Sequence, residues 1–145
     1  MNASQRIRKI LVAGLSVAGL VLAGCAGMHS GRSVNVTLSG SEEVPPVATA
    51  ARGSGTITVA ADKSVSGSVT TAGVSAVAAH IHQGARGQNG GVSIPLVKTG
   101  DNVWSVPAGA KLNDAQYDAF RSGALYVNVH SAAHKGGEIR GQLNP

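Results

Sequence analysis

Tyr126-Val127-Asn128-Val129-His130 is the segment that decides the fold of this 145-residue chain. Apolar and polar side chains alternate along it, and successive side chains of a β-strand point to opposite faces of the sheet. The alternation predicts a strand whose valines, Val127 and Val129, enter the core. Tyr126, Asn128 and His130 then share the opposite face.

Similar short runs recur along the chain, separated by turn residues such as Asp62-Lys63. Eight of them read as strands because they alternate or are rich in β-branched residues; they lie near 33–38, 56–59, 64–70, 77–82, 92–97, 103–106, 125–130 and 138–143. Short strands at this spacing predict an all-β fold, an antiparallel, Greek-key-like β-sandwich of about eight strands.

One segment predicts a short helix instead. Asn113 is a suitable N-cap, and Asp114 favours the first turn of a helix. Tyr117 and Phe120 follow at helical spacing, and Gly123 is a suitable C-terminal cap.

Composition excludes several classes of protein. Apolar residues make up 43% of the chain, which argues against a disordered protein. The formal net charge is +5, but Arg6, Arg8 and Lys9 supply three of the twelve basic residues. Without them nine basic residues face seven acidic ones, and no basic cluster with interleaved aromatics occurs. The sequence therefore predicts no nucleic-acid partner.

The N-terminus has the pattern of an export signal. Arg6, Arg8 and Lys9 precede an apolar run, 10–22, that is too short to span a bilayer comfortably. The run ends in Leu22-Ala23-Gly24-Cys25, which resembles the lipobox of bacterial lipoproteins. The resemblance implies cleavage before Cys25 and acylation of this residue; the alternatives are a buried free cysteine or an uncleaved anchor.

This interpretation divides the chain into a signal peptide at 1–24, a lipid-anchored tether at 25–32 and a folded domain at 33–145. It predicts an exported protein that is bound to the membrane of the cell envelope through its lipid. Ala26, rather than Asp, follows the acylated cysteine. In a cell with two membranes, lipoproteins of this kind usually reach the outer membrane, where the domain would face the periplasm.

Four histidines suggest a metal site. His80 and His82 share one face of a strand, with Cα atoms about 6.5–7 Å apart, so their imidazoles can converge on one ion. His130 supplies a third candidate ligand, and His134 a fourth from the turn that follows. Neutral imidazoles without Cys or Met favour Cu(II) or Zn(II). His29, in the tether, is read as incidental.

Three further polar residues are expected beside these ligands. Glu138 is expected to orient a histidine through its other ring nitrogen. Asn128 and Arg140 are expected on the same polar patch if their strands are neighbours. The alternative is an ordinary solvated sheet face with no ligand.

Several segments together resemble the CHRD domain, a domain named from chordin and common in bacterial exported proteins. The similar motifs occur in the expected order and cover about 33–143; they are Leu38-Ser39-Gly40, Glu43-Val44-Pro45-Pro46-Val47, Ala79-His80-Ile81-His82, Asn89-Gly90, Tyr126-Val127-Asn128-Val129-His130 and Gly137-Glu138-Ile139-Arg140-Gly141-Gln142-Leu143. The resemblance implies an extracytoplasmic β-sandwich and says little about activity. Gln83-Gly84 departs from the Gly-Pro of many members, which affects the loop and not the histidines.

Three functions remain open. The first is a non-catalytic, lipid-anchored module that binds Cu(II) or Zn(II), with no catalytic residue and no other cofactor. The second is a copper-dependent redox enzyme, because Ala-His-Ile-His is similar to the His-X-His strand of copper/zinc superoxide dismutases; Arg140 would be its guiding cation. The bridging histidine and Asp-containing zinc site of those enzymes have no counterpart here. The third is a structural or adhesion module with an unknown protein partner.

Overall fold

The computed structural model describes residues 31–145. Their nine strands are β1 (Arg32–Ser39), β2 (Arg52–Val59), β3 (Val65–Ala72), β4 (Ala76–Gln83), β5 (Val92–Pro95), β6 (Val97–Gly100), β7 (Val103–Ser105), β8 (Leu125–Ser131) and β9 (Ile139–Leu143). One 3-10 turn occupies Gly40–Glu42, and one helix, α1, occupies Asp114–Arg121. The prediction of an all-β fold with one short helix is confirmed.

All nine strands belong to one sheet in the order β5-β4-β8-β9-β1-β2-β3-β7-β6, and all neighbouring pairs are antiparallel. The two outermost strands, β5 and β6, are consecutive in the chain and meet at Leu96, whose N–H donates to the carbonyl of Ala79. The sheet therefore curls into a nearly barrel-shaped structure. The two packed layers of the predicted β-sandwich are therefore parts of one continuous sheet. The ninth strand arises because the run 92–97 divides at Leu96.

The concave side of the sheet holds the core. Val127 and Val129 have no exposed surface, as the alternation predicted. Ile139 and Leu143 of β9 and Leu38 of β1 are buried with them. The core is built almost entirely from aliphatic side chains, and Phe120 of α1 and Trp104 of β7 add its larger rings.

The helix closes one part of this core. The side chain of Asn113 accepts from the backbone N–H of Gln116, and the Gln116 side chain accepts from the backbone N–H of Asn113. This reciprocal pair satisfies N–H groups that the first helical turn leaves free. Phe120 is 2% exposed, and Gly123 adopts a positive φ of 72° just beyond the helix. The predicted N-cap and the predicted glycine stop are both present.

The convex face of β8 and β9 is also covered, which the sequence did not indicate. Every residue of both strands is buried, including the polar ones. Two connections lie over this face, because Thr49 bonds Glu138 and the carbonyl of Gly84 accepts from Gln142. The polar residues of these strands therefore form a buried hydrogen-bond network. The alternative of an ordinary solvated sheet face does not hold for β8 and β9.

The predicted signal peptide, the acylated Cys25 and His29 lie outside the described residues. Within 31–145, no helix has the length and apolar content needed to cross a membrane.

Candidate functional site

Strands β4 and β8 bring three histidines together. They pair so that His80 lies opposite Asn128, and His130 lies opposite Ala78. His80 and His82 are two residues apart in β4 and project from the same face of the sheet as His130. One ligand nitrogen from each of the three rings lies within 4.8 Å of the others.

The rings of these three residues, hereafter the histidine cluster, are in direct contact. Nδ1 of His80 lies 3.0 Å from Nε2 of His130. The centroids of the His80 and His82 rings are 5.4 Å apart, and those of His82 and His130 are 5.8 Å apart. The two neighbouring strands therefore bring a nitrogen of each of the three rings within reach of the others.

Backbone carbonyls fix the orientation of two of the rings. Nδ1 of His130 lies 3.0 Å from the carbonyl oxygen of Lys135, and Nδ1 of His82 lies 3.0 Å from that of Gly90. A carbonyl only accepts hydrogen bonds, so each Nδ1 carries the proton and each neutral ring keeps its lone pair on Nε2. His80 Nδ1–H then donates to Nε2 of His130.

The lone pair of His82 has no partner. Its Nε2 atom is buried and makes no hydrogen bond within the described residues. A buried acceptor without a donor is costly and calls for an explanation, such as an ion that the site is built to hold. The proton on the other nitrogen is placed as in metal-binding histidines, whose second nitrogen donates to a carbonyl or carboxylate.

Burial favours the neutral form of the His80 and His82 rings. The pKa of His80 and of His82 lies below the ordinary value of 6.5, chiefly because desolvation disfavours the imidazolium form. His130 repels a positive charge on either ring, whereas the Gly90 carbonyl partly opposes the shift at His82. At neutral pH the rings of His80 and His82 are therefore uncharged.

A stack of planar groups crosses three strands beside the cluster. The rings of His82 and Tyr126 are nearly parallel, with centroids 5.0 Å apart. The guanidinium carbon of Arg140 lies 3.4 Å from the centre of the Tyr126 ring, a cation–π contact. The Tyr126 hydroxyl accepts from the N–H of Gly90, the residue whose carbonyl orients His82.

Arg140 is a buried structural cation. Only 1% of the residue is exposed, and its N–H groups donate to Asn89 Oδ1, the Ala85 carbonyl and Gln142 Oε1. These bonds hold the loop after β4 against β9. Arg140 lies on the predicted polar face, but its N–H groups donate to other residues of the protein.

Asn128 lies on the polar face opposite His80, as expected for neighbouring strands, whereas Glu138 does not have the role predicted for it. The Asn128 amide donates to the Gly136 carbonyl, which fixes the turn that carries Lys135. The Glu138 carboxylate accepts from Thr49, and hydrogen bonds from Ser131 and Thr49 lower its pKa. Glu138 therefore does not orient a histidine of the cluster; carbonyls of Gly90 and Lys135 do so, because the turns place them against the rings.

His134 is not part of the histidine cluster. Its backbone N–H donates to the Ser131 hydroxyl, and its carbonyl accepts from Gly137, so the turn holds it in place. Its ring lies close enough to Glu138 to lower the pKa of that carboxyl. The turn directs it towards this acid, and the cluster contains the other three predicted ligands.

Sequence reasoning missed the orienting carbonyls and one buried acid. Every residue has a backbone carbonyl, so the sequence does not show which carbonyls orient a histidine. One signal was present, because Gly90 belongs to the Asn89-Gly90 motif quoted above. A Cβ on Gly90 would lie 1.6 Å from the Gln83 carbonyl oxygen, so only glycine allows this close approach beside His82. Glu43 is the buried acid, with 5% of its surface exposed, whereas the adjacent Glu42 pairs with Arg86 near the surface.

Comparison with known protein families identifies the domain. A family model described as CHRD domain matches residues 34–143. Neither the curated proteins nor the solved structures contain a match to this chain.

Proposed function

The chain belongs to the CHRD domain family, and we propose that it is a lipid-anchored module of the cell envelope that binds Cu(II) or Zn(II) through His80, His82 and His130. The observation that carries the proposal is the buried, unpartnered Nε2 of His82, which lies beside two further imidazoles. A bound ion would satisfy this lone pair and replace the hydrogen bond between His80 and His130.

The donor set favours these two metals. Three imidazoles without thiolate or thioether suit Cu(II) and Zn(II) better than Cu(I). The 3.0 Å separation of His80 Nδ1 and His130 Nε2 is that of a hydrogen bond, so it does not distinguish the two metals.

The surroundings of Arg140 support binding over redox catalysis. A dismutase needs a cation that attracts the anionic substrate towards the metal. Arg140 was the candidate, but it is buried beneath Tyr126 and its donors are held by Asn89, Ala85 and Gln142. We therefore propose a non-catalytic role.

Titration of the purified protein with Cu(II) and Zn(II) at pH 7 tests the proposal. We expect one ion per chain and a Kd below about 10 μM, followed by visible absorption for Cu(II) and by calorimetry for both ions. Absence of saturable binding would leave the histidine cluster as a structural hydrogen-bond network and favour the adhesion or scaffold role.

The affinity should depend on pH in a defined direction. Protons compete with the metal for imidazole nitrogens, and the pKa values of His80 and His82 are lowered from 6.5. We therefore expect nearly constant affinity from pH 8 to 7 and weakening as the pH falls below 6.5. Calorimetry at pH 5.5, 6.5 and 7.5 measures this trend; affinity that rises on acidification would contradict binding by imidazole.

The proposed anchor depends on Cys25, the single cysteine of the chain. Cys25→Ser should prevent acylation, so that the protein leaves the membrane fraction or keeps its signal peptide. Fractionation of expressing cells and mass spectrometry of the N-terminus measure both outcomes. Ser30→Ala, a small change in the predicted tether, serves as a control that should stay lipidated. A Cys25→Ser protein that is still membrane-bound and cleaved at the same position would contradict the lipoprotein assignment.

A further inference from the structure

A cleft in the surface is lined by none of the three residues of the histidine cluster. A cleft of about 370 Å³ separates the segment 43–47 from the turn 133–137, and Asn89 completes its wall. Val44, Pro45, Pro46 and Val47 make one wall largely apolar. The Asn89 amide donates to the Val44 carbonyl and fixes this wall in place.

Two neighbouring buried oxygens lack a hydrogen-bond donor, and one of them belongs to a residue that lines the cleft. Glu43 lines the cleft and is 5% exposed, and its Oε1 atom has no partner among the described residues. Oδ1 of Asn128 is buried nearby and is also unpartnered. Both lie against Gly137, because a Cβ built there would be 2.7 Å from Oε1 and 2.3 Å from Oδ1. Gly137 has a φ of 133°, so both its conformation and its surroundings require glycine.

A ligand that fits this cleft must donate hydrogen bonds to the oxygens and have an apolar part that packs on the proline and valine wall. An ammonium group has three donors and no acceptor, which matches oxygens that lack donors. Methylene groups attached to it would pack on the proline and valine wall. We propose that this cleft binds a primary ammonium group on a short apolar chain, such as a lysine side chain or an alkylamine, with Glu43 as its counter-ion. The terminal torsion of a glutamate is broad, so the carboxylate can turn towards the cleft.

The charges around Glu43 define how binding depends on pH. Desolvation raises its pKa to about 7, and Arg140 partly opposes this shift. Arg140 is held by its own hydrogen bonds, and no ion pair joins it to Glu43 in the part of the chain that the structure describes. His134 and Lys135 also line the cleft and oppose a cation when they are charged. Ionisation of Glu43 favours an ammonium ligand as the pH rises.

Titration of the ¹⁵N-labelled protein with butylamine at pH 8, in the presence of a chelator, tests this site. We expect saturable shifts of the Gly136 and Gly137 amide signals. Glu43→Gln keeps the shape of the side chain but removes its charge, and it should weaken binding at least tenfold. Glu42→Gln is the matched control, because it removes the neighbouring charge at the surface and should leave the affinity unchanged.

Two measurements on the unmutated protein keep the test independent of folding in the variant. Butanol has the same chain without the charge and should bind at least tenfold more weakly than butylamine. Affinity for butylamine should be about tenfold lower at pH 6 than at pH 8, since Glu43 with a pKa of about 7 is then largely protonated. His134→Gln should retain this pH dependence.

The proposal is overturned if butylamine gives no saturable shifts or if butanol binds equally well. It is also overturned if folded Glu43→Gln binds like the unmutated protein, or if His134→Gln abolishes the pH dependence. Because the titration contains a chelator and no metal, these outcomes are independent of the proposed function of the histidine cluster.

Discussion

His82→Ala and His130→Ala should each reduce the affinity for Cu(II) by more than about 100-fold. Removing a residue that only orients a ligand usually costs 10–100-fold, and loss of the ligand itself should cost more. Both rings have Nδ1 bound to a carbonyl, so each keeps the lone pair of Nε2 for a ligand. Titration against a competing chelator of known affinity measures the loss.

Two matched variants serve as controls for this result. His134→Ala removes a histidine that lies close in sequence but outside the cluster, and His29→Ala removes one from the predicted tether. Neither should change the affinity by more than about twofold. Thermal unfolding without metal identifies any variant whose fold is lost. Unchanged affinity in both His82→Ala and His130→Ala, or an equally large loss in His134→Ala, would exclude the proposed ligand set.

The alternation in β8 was sufficient to predict which side chains enter the core. Valines at two-residue spacing can be buried together on only one face of a strand, so Val127 and Val129 fixed the register. The same rule placed His80 and His82 on one face. They approach His130 only if β4 and β8 are neighbours in the sheet, and the sequence does not predict which strands are neighbours. In the structure the two strands do pair, although they lie about fifty residues apart in the chain.

Contacts made by turns and loops could not be predicted in the same way. The direction of the His134 side chain depends on the backbone of the turn that ends at Gly137, and alternation does not extend into turns. The burial of Arg140 depends on the loop after β4, whose carbonyl at Ala85 and side chain at Asn89 accept its hydrogen bonds. A loop that packs over a strand leaves no repeating pattern in the sequence. A polar strand face therefore has the same pattern whether it is exposed to solvent or buried by a loop.

Val129→Asp should destabilise the protein by about 4 kcal/mol or more, because a carboxylate in an apolar core is left without a partner. Val129 has no exposed surface and lies at the centre of β8, between β4 and β9. Single domains are usually stable by only about 5–15 kcal/mol, so the variant should be close to unfolding. Urea denaturation followed by circular dichroism measures the free energy of unfolding.

Val77→Asp is the matched control for this change. It makes the same substitution in the adjacent strand β4, but Val77 is 62% exposed and its carboxylate would remain in water. We expect a loss of about 1 kcal/mol or less, mainly from the lower strand propensity of Asp. The difference between the two variants isolates the cost of burying the charge from the cost of placing Asp in a strand. Losses of equal size would mean that Val129 does not face the core, and the register of β8 that positions His130 beside His80 would be wrong with it.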